Sequence, residues 1–226
     1  MTDLAHQVAE WMVAALLERP EPSAVSLSGG STPQRLYELL VTEEFRHRLP
    51  WDRVHWFWGD ERFVPPDDER SNYRMINEAM LKHAPIPAGH IHPVPTLGLS
   101  PEKAAAQYEA ELRQYHGAAT LDSKPLFQVV LMGLGTNGHT ASLFPDTPVL
   151  DERSAWVAPV WPEGEETRIT LTYPALESCR HAAFMVAGAD KRDILARVRA
   201  GDQSLPAARY HPNCQLRWFA DAAAGG

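Results

Sequence analysis

The chain has 226 residues, 44% of them hydrophobic and 22% charged, with a net charge of −8, an ordinary globular composition with apolar residues enough for a sizeable core. The acidic balance excludes a sequence-independent nucleic-acid binder, which needs a basic face. No stretch approaches the ~18 apolar residues of a membrane span, and the start MTDLAHQVAEWM lacks the apolar segment of a signal peptide, so a cytoplasmic protein without membrane contact is expected.

In chain order, residues 3–18 carry Leu4, Val8, Trp11, Met12, Ala15 and Leu16 at helical spacing, a first amphipathic helix closed by Arg19-Pro20. A short strand follows at 24–28. Gly29-Gly30-Ser31-Thr32-Pro33 then reads as a turn into a helix, with Thr32 as N-cap and Pro33 in the first helical position. A third unit begins with the aromatic strand 53–58 and ends in the charged turn Gly59-Asp60-Glu61-Arg62. Ser71 caps a helix through Tyr73, Ile76 and Leu81, and the Pro-rich stretch 84–98 reads as an ordered connection. Ser100-Pro101 opens a helix reaching Tyr115.

Leu126–Met132 is an apolar, β-branched run too short for a helix, hence a buried strand. Glycines punctuate the chain just beyond it, at 133, 135 and 138, and His139 follows. Short strands are expected at 155–160, 169–172, 182–187 and 214–219, a helical turn near Leu176, a helix over 191–199, and a frayed end at 222–226. Strands alternating with helices predict an α/β fold: a Rossmann-like, mostly parallel sheet with helices on both faces, in one domain over 1–226. Cys179 and Cys214 lie far apart and outside any CxxC pair, so neither a disulfide framework nor a zinc knuckle is indicated.

Polar ligands bind at the carboxyl ends of buried strands in such sheets, and glycine lets backbone N–H groups approach them closely. His139 is the group there that titrates nearest neutrality. Gly133-x-Gly135-x-x-Gly138 matches the dinucleotide fingerprint formally, but Pro145 cuts short any following helix and no acidic residue stands near position 158. NAD is rejected.

Three ordered signatures, SLSGGSTP at 26–33, WGDERFVP at 58–65 with SNY at 71–73, and GLGTNGHTASLFP at 133–145, resemble the 6-phosphogluconolactonase family. RITLTYP at 168–174 and GADK at 188–191 fit it too, so the resemblance spans nearly the whole chain. It implies a fold shared with glucosamine-6-phosphate deaminase and ribose-5-phosphate isomerase. The implied reaction is hydrolysis of 6-phospho-D-glucono-1,5-lactone, a small phosphorylated substrate, by a water that His139 activates. Arg62, Arg168 and Lys191 are the implied phosphate cations, with Gly29, Gly30, Ser31, Thr32, Gly135 and Gly138 adding backbone or hydroxyl donors. Where the family usually has Asp, this chain has Asn137, which can hold the histidine ring but not charge it; Asp60 is another source of a carboxylate.

Blander readings stand beside these. Ser31 and Thr32 would serve a helix start with or without phosphate, Asp60-Glu61-Arg62 would also suit an internal salt bridge, and Trp56 and Trp58 alternate as strand packing does. His90-x-His92 lacks a third metal ligand nearby and reads as a loop pair. A deaminase or isomerase of sugar phosphates, or a sugar-phosphate sensor, would keep the same cradle. A monomer or weak dimer is the expected state.

Overall fold

The computed structural model describes residues 3–226. Its first half runs α1 (Leu4–Leu17), β1 (Ser23–Leu27), α2 (Ser31–Leu40), α3 (Glu43–Arg46), β2 (Val54–Trp58), β3 (Asp60–Arg62), α4 (Asn72–Ala79) and β4 (Ile91–His92). The second half runs α5 (Pro101–His116), β5 (Phe127–Gly133), β6 (Val157–Val160), β7 (Arg168–Leu171), α6 (Tyr173–Glu177), β8 (Cys179–Val186), α7 (Arg192–Arg199) and β9 (Leu216–Ala220).

Six strands form a wholly parallel sheet in the order β4-β2-β1-β5-β8-β9. The chain starts in the middle, builds outward through β2 and β4, then returns past β1 to β5 and builds the other way. β1 and β5, paired at Val25↔Val129 and Ser26↔Val130, therefore flank the topological switch point. Sheets of this kind open a crevice for ligands there, beyond the carboxyl ends of the strands.

Both faces are covered. Trp56, Phe57 and Trp58 are consecutive and all fully buried, which is possible only where each side of the strand meets a layer. Phe57 meets Tyr108 and Tyr115 of α5, and Trp58 meets Tyr73 of α4 on the opposite side. The Trp alternation is thus strand packing.

Two buried tyrosines close the strand ends beside the crevice. Tyr37 of α2 accepts from the Ser28 N–H and donates to the Ser28 carbonyl at 2.7 Å. Tyr108 of α5 does the same for Trp58, accepting from N at 2.7 Å and donating to O at 3.1 Å. A buried polar group without a partner costs about 1–3 kcal/mol, so each phenol relieves two such groups where the ladder runs out.

A second sheet, β3-β7-β6, is antiparallel and departs from the sequence expectation. Asp60-Glu61-Arg62 is not a turn but a strand of this sheet, its three residues paired with Thr170, Ile169 and Arg168. Gly59 joins the sheets: its N–H donates to Leu27 O at 2.8 Å in the large one, and its carbonyl accepts from Leu171 N at 2.8 Å in the small one.

Other boundaries differ too. α2 begins at Ser31 with Gly30 as its N-cap at φ 103°, so Thr32 lies in the first turn rather than at the cap; only glycine holds that φ without strain. Ser71 and Ser100 do cap α4 and α5, accepting from Arg74 N and Lys103 N. The last residues are not frayed: Asp221 accepts from Ala224 N and Gly188 N, and Ala224 is buried. His90 and His92 belong to a half-buried ring stack at the sheet edge, His92 bridging Glu111 at 2.5 Å and His55 at 2.9 Å.

Candidate active site

A cleft of about 360 Å³ lies at the switch point, walled by Gly29-Gly30 after β1, the glycine loop after β5, and residues of the small sheet. Three grooves, of about 410, 670 and 680 Å³, are larger, so volume does not select the site. Position and chemistry together do: this cleft lies at the carboxyl ends of the strands and combines an imidazole with Arg62, Arg168 and Lys191, whereas the groove holding His116 with Arg19, Lys124 and Arg180 has both ring nitrogens facing backbone carbonyls.

His139 stands where β5 gives way to the loop. Its Nδ1 lies 2.6 Å from Asn137 Oδ1, which also accepts the His139 backbone N–H at 3.1 Å. An amide oxygen only accepts, so the geometry assigns the proton to Nδ1 and leaves the Nε2 lone pair unprotonated. Nε2 has no partner among the described residues. Burial, with the ring 4.4 Å from that of Phe144, holds the imidazole below its usual pKa; Asp60 and Glu165 oppose that, and Arg168 and Lys191 reinforce it. The ring is neutral at pH 7 and fit to accept a proton.

Beyond His139, Ala141 takes φ 47°, a left-handed conformation uncommon outside glycine. That turn brings Ser142 Oγ to 2.6 Å from Asp60 Oδ2 and Ser142 N to Thr170 Oγ1. The base-bearing loop is thereby tied to the small sheet, and Asp60 sits in the cleft wall as a fixed carboxylate.

Glu61 faces the other way. It is buried and accepts the N–H groups of Arg62, Asn72 and Tyr73 plus Ser71 Oγ, pinning the first turn of α4. Burial pushes its carboxyl up to about 7 despite those donors. The pinned Asn72 donates to the Asp60 carbonyl at 3.0 Å and fills the space where a Cβ of Gly29 would lie, 2.1 Å from Asn72 Oδ1. Gly29 is glycine because Asn72 is there.

The cations come from three elements. Arg168, on β7, is buried and pairs with Glu165, and its Nε lacks a partner. Arg62, opposite it on β3, donates to Arg70 O at 2.6 Å and also keeps an unpartnered Nε. Lys191 reaches the cleft from the turn before α7, with Asp190 at 3.5 Å.

Of the residues singled out from sequence, the structure gathers His139, Asp60, Gly29, Gly30, Gly135, Arg62, Arg168 and Lys191 around one cleft. Asn137 stands outside the lining, behind the ring. Gly138 is buried against Leu205, 2.9 Å from where a Cβ would sit. Ser31 and Thr32 border the neighbouring groove with Arg35 and Asp221 instead. Gly135 and Gly138 spend their N–H groups on His139 O and Gly135 O, whereas those of Gly29 and Gly30 have no partner among the described residues. Sequence reasoning missed Ser142, Asn72, Phe144 and Glu165. The first three lie inside quoted motifs, but nothing in their spacing reveals whom they touch.

The sequence pattern described as glucosamine-6-phosphate isomerases/6-phosphogluconolactonase matches residues 1–218. The chain belongs to that family. A 6-phosphogluconolactonase of a Nostoc species is 44% identical over 204 residues, 89% of this chain and 82% of the relative. The crystal structure of 6-phosphogluconolactonase from Thermotoga maritima superposes with a TM-score of 0.82 at 32% identity, covering 97% of this chain and 96% of that one. A monomeric glucosamine-6-phosphate deaminase gives a TM-score of 0.80 at 18% identity, covering 98% and 94%. At that identity the likeness speaks for the family's α/β fold alone.

Proposed function

We propose that this family member hydrolyses 6-phospho-D-glucono-1,5-lactone to 6-phospho-D-gluconate, the second step of the oxidative pentose phosphate pathway, and needs no cofactor. The observation that carries the reading is a neutral imidazole, its tautomer fixed by Asn137, in one cleft with Arg62, Arg168 and Lys191. The cations hold the phosphate dianion. His139 Nε2 takes a proton from water as its oxygen attacks the lactone carbonyl. The Gly29 and Gly30 N–H groups are the backbone donors for the substrate's anionic oxygens. The imidazolium then returns its proton to the ring oxygen as the C–O bond breaks. A few fixed cations gathered in one cleft outweigh the screened net charge, so an acidic protein binds an anion. Residues 1–226 act in this reading as one domain, monomer or weak dimer, in the cytoplasm.

Chelator-treated protein should hydrolyse freshly generated lactone well above the spontaneous rate. His139→Gln should lose about 10²–10⁴-fold of that acceleration while still binding 6-phosphogluconate. Conversion of glucosamine 6-phosphate or ribose 5-phosphate in place of the lactone would assign the cleft to a deaminase or isomerase. Binding of all three without turnover would make it a sensor.

A further inference from the structure

Cys179 and Cys214, 35 positions apart in sequence, meet in the fold with their sulfurs 3.6 Å apart. Cys179 opens β8 and Cys214 precedes β9, and these adjacent strands enter their parallel ladder at Ala182↔Leu216. Both are free thiols, Cys179 buried and Cys214 partly exposed. The two sulfurs are in van der Waals contact, and a disulfide needs them at about 2.05 Å, so closure asks for an approach of about 1.5 Å.

What lies between them in sequence gives the pair a purpose. After α7 the chain returns along the sheet from the cleft end to the start of β9. On the way Leu205 packs on Gly138, and Ala207 N donates to Gly138 O at 2.9 Å. Tyr173 Oη bonds Pro206 O at 2.7 Å. Tyr210 donates to Leu176 O and lies 3.6 Å from the Cys179 sulfur. This return therefore backs the glycine loop at one end and reaches the two cysteines at the other.

We propose that Cys179 and Cys214 form a reversible peroxide-driven disulfide that staples the return segment behind the glycine loop. Cys214 is the attacking thiol. It has solvent access, and the Cys179 S–H beside it favours its thiolate, whereas that contact and burial hold Cys179 protonated. The Cys214 thiolate attacks one oxygen of hydrogen peroxide, forming an S–O bond, breaking O–O and releasing hydroxide, which is neutralised to water. Cys179 then attacks the Cys214 sulfenic sulfur: S–S forms, S–O breaks, and the departing hydroxide takes the Cys179 proton as a second water. Two thiols lose two electrons and one peroxide gains them. A dithiol reverses the step by exchange.

The test is stoichiometric peroxide treatment of the full chain, followed by peptide mapping without reduction. The expected product is monomeric, lighter by two hydrogens, cross-linked between the peptides holding Cys179 and Cys214, and restored by dithiothreitol. Closing a loop of this length should raise the thermal midpoint of the oxidised form by roughly 5–15 °C. In Cys179→Ala no resolving thiol remains, so Cys214 should be trapped by dimedone and pass on to sulfinic acid. Should that variant not fold, the wild-type map decides alone. Sulfinic acid at Cys214 without the cross-link, or a disulfide between chains, overturns the proposal.

Discussion

Gly135 lies directly beneath the imidazole of His139: a Cβ there would stand 2.1 Å from Nδ1 and 2.2 Å from Cε1. The glycine serves clearance, because its φ lies outside the left-handed range and alanine could adopt the same backbone. Gly135→Ala should leave the fold intact and push the ring off Asn137. Misplacing a catalytic group by about 1 Å costs on the order of 10²-fold. The expected result is a kcat loss of that order with 6-phosphogluconate affinity little changed. A variant with wild-type kcat would show that the ring's position does not matter to the reaction.

Asn137→Asp keeps an oxygen for Nδ1–H and adds a negative charge, which favours the imidazolium. In the wild type, burial holds His139 below its usual pKa. The acidic limb of kcat/KM should therefore lie below pH ~6.5, with activity lost as pH falls through it. In the variant that limb should shift to higher pH. A pH–rate series on both proteins checks this, and an unmoved limb would deny that residue 137 senses the ring.

Arg168→Ala and Lys191→Ala each remove a charge-assisted bond to phosphate, worth about 1.5–3 kcal/mol. The kcat/KM for the phosphorylated lactone should drop roughly ten- to a hundredfold. Turnover of unphosphorylated gluconolactone should hardly change. Equal losses on the two substrates, in proteins with native circular dichroism, would assign these side chains to architecture.

His55 predicts a pH dependence of stability rather than of rate. His90 stacks on it at 4.0 Å, His92 Nε2 lies 2.9 Å from its Nδ1 with Glu111 behind, and Tyr115 closes the stack at 4.8 Å. Burial, then the charges of His90 and His92, lowers its pKa to about 4, against ~6.5 unfolded. The unfolded chain thus binds a proton that the folded one refuses. Stability should be full above pH ~6.5 and fall as pH drops toward 4. Urea midpoints at several pH values should show the slope, and His55→Phe should flatten it. An equal slope in the variant would place the proton uptake elsewhere.

The inner strands of the large sheet were legible because they are buried on both faces and appear as apolar runs such as Leu126–Met132, whereas the two-residue edge strand β4 was hidden in the Pro-rich stretch read as a connection. In the small sheet β6 and β7 were legible as the short strands expected at 155–160 and 169–172, but β3 was not, since it is only Asp60-Glu61-Arg62 and its polarity belongs to a turn until its partner Arg168, more than a hundred positions on, is known. His139 and the cations were legible through motif order. Asn72 and Ser142 were not, because their tasks, filling the space over Gly29 and fixing Asp60, are contacts between distant segments. The cysteine pair escaped for the same reason: sequence separation is no guide to which strand starts lie side by side.

Gly59 has a consequence for substrate choice. The base rides on the loop after β5, whereas Arg62 and Arg168 ride on the small sheet. Gly59 is bonded into both layers at once, and a Cβ there would press to 3.2 Å on Leu27 O and on Ser26 Oγ. The separation of Arg62 and Arg168 from the imidazole is therefore set where the two layers meet. Under the proposed function that span works as a ruler: a sugar phosphate with fewer carbons between phosphate and carbonyl would anchor well and still fall short of Nε2. Selectivity among phosphorylated lactones then resides in the seam between the layers, away from any side chain that touches the reacting bond.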